Sequence, residues 1–173
     1  VDRLGNVYEG RAGGSGVVGA HAGLYDWGSV GIALLLDDEV GEPSAEMLDS
    51  LTRLLAWQCG QHFLDPLGET PLIDARFPVI MGHRDCGAAH CPGGQVEALL
   101  PWIRREVSLK MARVPPRIEI LSPIAGQVLG GIIVPTFQAS PVITRADYYV
   151  DGSLRERRTS DPLSWKWNTL PDG

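Results

Sequence analysis

The sequence has 173 residues, of which 44% are hydrophobic, so it is long enough for one large domain or two small ones with buried cores. Its formal net charge of -6 argues against a nucleic-acid partner, because proteins that bind nucleic acids usually carry a basic face. No run of about 18 apolar residues occurs, which argues against a membrane-spanning helix. The three cysteines are an odd number, so they cannot all pair in disulfides within the chain.

The first predicted elements alternate between strands and helices. Residues 5–11 are predicted as a short strand, and residues 29–37 form an apolar run typical of a strand covered on both faces. Ser44 is a candidate N-cap for a helix whose apolar residues recur at helical spacing. A further apolar strand over 78–82 precedes a second helical pattern over 96–107. This order predicts an α/β or α+β layer with a central sheet.

The first helix also carries a cysteine and a histidine that have ordinary structural explanations. Cys59 lies on the apolar stripe of the helix, which favours a thiol buried in the core. His62 lies near the helix end, where a cation is favourable, and we do not expect it to be a ligand.

A change in pattern marks a boundary at residues 113–117 (RVPPR). Two adjacent prolines fix the backbone there and disfavour helix, so we predict domains over residues 1–112 and 118–173 joined by this linker. The second part contains five short segments rich in β-branched and aromatic residues, and Asp151-Gly152 between two of them predicts a tight hairpin. A β-sandwich of this kind needs about seven strands, so we predict a partial one.

The segment GHRDCGAAHCPGG, residues 82–94, is dense in groups that bind metals. Zinc is held in proteins by thiolate, imidazole or carboxylate in tetrahedral geometry. In one arrangement, His83 and Cys91 supply two ligands and a distant residue supplies a third. In a second, His83, Cys86, His90 and Cys91 form a local structural site, although the adjacent His90 and Cys91 usually point apart. In a third, the loop holds no metal.

Several segments occur in a recognisable order: GNVYEGR (5–11), VVGAHAGLYDWGSVGIAL (17–34), a Ser-capped Leu-rich helix, and GHRDCGAAHCPG (82–93). Together they resemble the zinc-dependent N-acetylmuramoyl-L-alanine amidases, which are related to the peptidoglycan recognition proteins and to phage lysozyme-like amidases. The resemblance covers residues from about 2 to 107 and implies an α/β fold with a mixed central sheet flanked by helices. The second part resembles bacterial Ig-like modules of secreted wall enzymes, which implies a partial all-β Ig-like sandwich.

The resemblance implies a zinc site in the loop. In the family, the His of the GHR motif and the Cys of the CPG motif are zinc ligands, and these correspond to His83 and Cys91. A third ligand His and a catalytic Tyr would precede residue 1, and the last residues stop where a hairpin is expected. We therefore expect the chain to be truncated at both ends and inactive as given. Ala89 stands where the family typically has Thr or Lys to stabilise the oxyanion.

The resemblance also implies where substrate binds. His21 and Tyr25 lie in the segment that resembles the family's substrate groove, and Arg84 is a candidate partner for a peptide carboxylate, or else for Asp85. For Tyr25, packing is an equally good explanation.

The function implied for the intact parent is hydrolysis of the amide bond between N-acetylmuramic acid and L-alanine in peptidoglycan, with Zn²⁺ as cofactor. A secreted or cell-wall location follows from that substrate. The alternative is a non-catalytic peptidoglycan-binding module of the same fold. Retention of Cys91 favours the hydrolase, because non-catalytic relatives commonly replace this ligand.

Overall fold

The computed structural model describes residues 1–14, 16–36, 41–87, 90–113, 115–160 and 163–169. The chain divides into two compact units, Val1–Arg113 and Val114–Gly173. This division falls inside the segment 113–117 that the sequence predicts as a linker. Across the described ranges, none of the helices has the length and apolar character needed to cross a membrane.

Two long helices dominate the first unit. The first, α1 (Ala45–Gln61), begins where the sequence predicts, because the Ser44 side chain accepts a hydrogen bond from the Met47 N–H at 3.1 Å. The second, α2 (Gly94–Met111), continues through Pro101 without a break. A salt bridge of 2.9 Å from Lys110 to Asp49 joins the two helices. Both predicted helices are therefore present in the structure.

The core of the first unit lies between these helices. Its buried members come from α1, from α2 and from the chain before the candidate loop: Leu51, Ala56, Cys59, Ile80, Leu100, Ile103 and Val107. Burial of this apolar surface is the main stabilising contribution of the unit. Cys59 is 4% exposed, which confirms its prediction as a core thiol.

A β-hairpin that the sequence analysis missed precedes the candidate loop. Strand β1 (Glu69–Leu72) pairs antiparallel with β2 (Ala75–Pro78). The predicted strand over 78–82 is therefore wrong, because regular pairing ends at Pro78. Beyond it, Ile80 turns into the core and leads the chain to the loop.

The predicted strands over 5–11 and 29–37 are also wrong for the described residues. In the first segment, Asp2 draws the backbone into a turn by accepting hydrogen bonds from the N–H groups of Leu4 and Asn6. In the second, residues 32–35 have no regular secondary structure, and their backbone hydrogen bonds to another described segment are those between Val1 and Ala33 and Leu35. A strand needs a neighbour along its length, so the central sheet predicted for this fold is not formed by the described residues, whose sheets have two strands each.

The second unit consists of short antiparallel pairs. Its described strands are β3 (Ile118–Ser122), β4 (Ile132–Ile133), β5 (Thr136–Ala139), β6 (Ala146–Val150), β7 (Ser153–Arg158) and β8 (Trp167–Asn168). They pair as β3 with β5, β4 with β8, and β6 with β7. This part of the chain is all-β as predicted, and the Ig-like sandwich stays a prediction.

The hairpin predicted at Asp151-Gly152 is confirmed. Val150 pairs with Ser153, and both turn residues have positive φ, 51° for Asp151 and 76° for Gly152. Two residues with positive φ are what a type I′ hairpin turn requires.

Two tryptophans of this unit that are two residues apart lie together. The rings of Trp165 and Trp167 are nearly parallel, with centroids 6.3 Å apart, and Tyr148 lies 5.4 Å from Trp165. All three side chains are half-buried, as expected of a core face in this unit.

Candidate functional site

The candidate site is the loop that runs from Gly82 to the start of α2. Gly82 is buried, and a short 3-10 turn follows over His83–Cys86. The Asp85 carboxylate accepts a hydrogen bond of 3.0 Å from the Gly82 N–H, which fixes the start of this turn. Gly87 ends it with a φ of 115°, a conformation that residues with a side chain rarely adopt. The Asp85 carboxylate therefore stabilises the turn at the start of the loop.

The second half of the loop returns next to the first. The backbone N–H of Arg84 donates to the carbonyl oxygen of Cys91 at 2.8 Å, and its guanidinium Nη2 donates to the carbonyl oxygen of His90 at 3.2 Å. His83 and Cys91 are therefore attached to backbone segments that lie side by side, and both residues are exposed. That their side chains converge on one metal stays a prediction. Ala89 lies outside the described residues.

The local four-residue site considered from the sequence is not formed. Within the ranges that the structure describes, no three His, Cys, Asp or Glu residues lie close enough together to hold a metal ion. Cys86 instead directs its thiol to the carbonyl oxygen of His83, with 3.2 Å from sulfur to oxygen. Burial raises the pKa of this thiol, which disfavours the thiolate that a metal would need.

His21 is engaged within its own segment. Its Nε2 lies 2.9 Å from Ser29 Oγ, and its Nδ1 lies 3.5 Å from Asp26 Oδ1. The Asp26 carboxylate also accepts hydrogen bonds from the backbone N–H groups of His21 and Ala22, and these bonds lower its pKa. Gly31 leaves room for the imidazole, because a Cβ there would lie 2.5 Å from its Cγ. The ring thus holds residues 21–31 together, and a substrate contact for it stays a prediction.

Tyr25 connects this segment to the β1–β2 hairpin. Its ring packs edge-to-face on Phe77 with centroids 5.0 Å apart, and its hydroxyl donates to Asp74 Oδ1 at 3.3 Å. Burial, the nearby Asp74 charge and, to a smaller extent, Cys86 raise the pKa of the Tyr25 phenol. Packing accounts for Tyr25, and its contact with a substrate stays a prediction.

Three neighbours of the site were not identified from the sequence. Asp74 and Phe77 belong to the missed hairpin, and their position beside Tyr25 depends on that hairpin. Glu97 in the first turn of α2 lies with Oε2 3.5 Å from Arg84 Nε. A signal for Glu97 existed, because an acidic residue in the first turn of a helix that follows the loop is placed to meet a loop cation.

The sequence was compared with known protein families and proteins, and the matching region includes this site. A sequence model described as N-acetylmuramoyl-L-alanine amidase matches residues 1–94. The peptidoglycan-recognition protein LB of Drosophila melanogaster is 35% identical over 94 residues, a region that covers 54% of this chain. The chain spans 35% of the length of that relative. No solved structure matches the chain significantly. The matched region of the family includes His83 and Cys91 and ends at the start of α2.

Proposed function

The chain belongs to the N-acetylmuramoyl-L-alanine amidase family, and on this premise we propose that its first unit serves hydrolysis of the amide bond between N-acetylmuramic acid and L-alanine in peptidoglycan. The observation that supports this most is the loop geometry, in which a hydrogen bond from Arg84 N–H to Cys91 O joins the residue after His83 to the backbone of Cys91. Peptidoglycan lies outside the cytoplasmic membrane, so a secreted or wall-associated location is part of the proposal.

Zinc is the metal proposed for this site. An imidazole and a thiol on adjacent backbone segments match the ligand chemistry of zinc, and a catalytic zinc site uses three protein ligands plus water. His83 and Cys91 would be two of them, and the described residues offer no third close by. When bound, zinc supplies a hydroxide at neutral pH and polarises the carbonyl of the scissile amide. The chain itself contributes the two donors and the loop that holds them.

The alternative proposal is peptidoglycan recognition without catalysis. Two observations favour it: the described residues do not assemble a three-donor group, and the relative reported above is named as a peptidoglycan-recognition protein. In that case the exposed surface around the loop would bind a muropeptide, and neither Cys91 nor a metal would be needed.

A metal titration on the 173-residue chain distinguishes these proposals. We expect Zn²⁺ to be bound weakly, with competition against a chromogenic chelator as the measurement, and Cys91→Ser to abolish that binding. Cys86→Ser is the matched control, because its thiol contacts the His83 carbonyl from the same loop and a hydroxyl can replace that contact. Equal zinc affinity in the wild-type chain and in Cys91→Ser would contradict the metal assignment. Binding of the metal-free chain to purified peptidoglycan in a sedimentation assay, undiminished by Cys91→Ser, would then support recognition.

A further inference from the structure

Glu97 lies directly beneath the candidate loop, in the first turn of α2. Its backbone N–H donates to the carbonyl oxygen of Gly93 at 3.0 Å, so the position of Glu97 is fixed by the helix. Its carboxylate lies against Gly82. A Cβ added to Gly82 would come within 2.7 Å of Glu97 Oε2 and 2.8 Å of Pro92 Cδ. The absence of a side chain at Gly82 is therefore what admits the carboxylate under the loop.

Arg84 joins this carboxylate to the far end of the loop. The residue makes contacts in two directions: its N–H and its Nη2 hold the carbonyl oxygens of Cys91 and His90, while its Nε faces Glu97 Oε2 at 3.5 Å. Arg84, Glu97 and these two carbonyls are called the loop clamp below. The planar guanidinium can donate to a carboxylate and to a carbonyl at once. The ammonium group of a lysine cannot do so with the same geometry.

In the loop clamp, Arg84 Nε and Glu97 Oε2 each supply the counter-charge of the other. Arg84 Nε and Glu97 Oε2 are both sealed from solvent, and neither has a hydrogen-bond partner among the described residues. The rest of each side chain is partly exposed, 34% for Arg84 and 30% for Glu97. A charged atom sealed from water is unfavourable without a counter-charge, so removal of either one leaves the other uncompensated.

We propose that Glu97 is a positioning residue, which acts through Arg84 to hold the His90–Cys91 segment beside His83. This inference rests on the proposed function in one respect. It takes His83 and Cys91 as the metal donors whose spacing Glu97 controls. It also assigns the Arg84 side chain to the loop, where the sequence analysis considered a contact with a peptide carboxylate. The negative charge of Glu97, and not its size alone, is what the loop clamp uses.

Amide hydrogen exchange tests the loop clamp without any metal or substrate. In Glu97→Gln, which keeps the size and removes the charge, we expect the Arg84 amide to exchange about fivefold faster, because an ion pair of this exposure stabilises by up to about 1 kcal/mol. Amides of the core residues Leu51 and Ile103 should exchange at unchanged rates. Glu106→Gln is the matched control, since it makes the same substitution elsewhere on α2.

A double-mutant cycle separates the loop clamp from a general effect on stability. We expect Arg84→Gln and Glu97→Gln each to speed the exchange of the Arg84 amide, and the double variant to be no faster than the faster single variant. Additive effects, an unchanged rate in Glu97→Gln, or an equal change in Glu106→Gln would overturn the proposal. If Glu97→Gln does not fold, Arg84→Lys provides the same test.

Titration with Co²⁺ alone links the loop clamp to the metal site. A thiolate bound to Co²⁺ gives a charge-transfer absorption, and we expect Glu97→Gln to reduce its apparent affinity about threefold or more, with Glu106→Gln unchanged. Absence of the absorption in the wild-type chain would count against the proposed metal function. The exchange measurements would still decide the loop clamp, so the two failures are distinguishable.

Discussion

Asp2 shows how one carboxylate can organise a segment without regular secondary structure. It accepts hydrogen bonds from the Asn6 side chain, from the Tyr8 hydroxyl and from two backbone N–H groups. These bonds, chiefly that from the Asn6 side chain, lower the pKa of Asp2 from 3.8 to about 2. A lowered folded pKa means that the stabilisation is complete above about pH 4 and is lost as pH falls through about 2.

An NMR titration of the Asp2 carboxyl carbon measures this effect directly. We expect a midpoint near 2 in the unchanged chain and a shift toward 3.8 in Asn6→Ala, because the bond with the largest effect is then absent. A midpoint of 3.8 for Asp2 in the unchanged chain would show that this turn does not form in solution.

The three cysteines should differ sharply in reactivity. Burial raises the pKa of Cys59 to about 11, and it also raises that of Cys86, whereas Cys91 is exposed. Since the thiolate is the reactive form, brief alkylation at pH 8 should label Cys91 first and leave Cys59 unmodified until the protein unfolds. Mass spectrometry of the digested protein reads this order. Early labelling of Cys59 would contradict the burial of this thiol in the core.

At the scale of elements, the N-cap of α1 is the clearest local determinant. Ser44 accepts from the Met47 N–H, and its hydroxyl donates to the Arg3 carbonyl at 2.6 Å, so it joins the helix to the N-terminal segment. We expect Ser44→Ala to lower the free energy of unfolding by about 1 kcal/mol, as measured by urea denaturation. Ser44→Asp keeps the cap acceptor, so its free energy of unfolding should fall by less than that of Ser44→Ala. Equal losses in both variants would mean that the bond to Arg3 dominates.

Helices could be predicted from the sequence and most strands of the first unit could not, for a physical reason. Helical hydrogen bonds and caps are local, so the spacing of apolar residues and Ser44 were sufficient. A strand depends on a neighbour that can come from any part of the chain. Among the described residues, the apolar run at 29–36 has a neighbour at Val1 alone, and its Ile32 and Leu34 pack against the core. The hairpin at 69–78 was missed because its strands contain prolines and its turn includes Ile73 at a φ of 56°.

In the candidate site too, local features could be predicted from the sequence and contacts between separate elements could not. The loop composition indicated a set of possible metal donors, because residue type determines which groups can bind a metal, and the family resemblance selected His83 and Cys91 from that set. It could not show that Arg84 and Asp85 would be used inside the loop, since those contacts depend on the path of the backbone. Glu97 was missed because it lies on a different element from the groups that it contacts.

At the scale of the whole molecule, the two units differ in how far the sequence specifies them. Residues 1–113 contain all the histidines and cysteines, fifteen Asp/Glu and nine Lys/Arg, while the remainder has six of each charge. The adjacent prolines at 115–116 are the signal for the predicted linker over 113–117, because they disfavour helix wherever they occur. The arrangement of the strands in the second unit was not specified in the same way, because the pairing of short strands depends on distant partners.

At the scale of the first unit, the apolar segment at 32–35 offers backbone groups with which a strand placed ahead of Val1 could pair. The Val1 nitrogen donates to Ala33 O at 2.6 Å and the Leu35 N–H donates to Val1 O at 2.8 Å, the hydrogen-bond pattern of parallel strands. A strand added ahead of Val1 would continue this pairing along the segment before Ala33. Partly buried Ile32 and Leu34 already pack against the core, so the added strand would lie at the edge of that core.

We therefore expect two different results from one assay on purified peptidoglycan, with mass spectrometry of the released peptides. The 173-residue chain should release no stem peptides, because the described residues offer no third donor beside the proposed donors His83 and Cys91, and zinc held by two donors is loosely bound with its water poorly activated. A variant extended by a strand bearing a His and a Tyr, as the family resemblance implies, should release stem peptides free of muramic acid. This activity should be abolished by a chelator and by Cys91→Ser, whereas Cys59→Ala should keep it per folded molecule. Hydrolysis by the unextended chain would show that the site is assigned wrongly, and released peptides that still carry muramic acid would show that a different bond is cut.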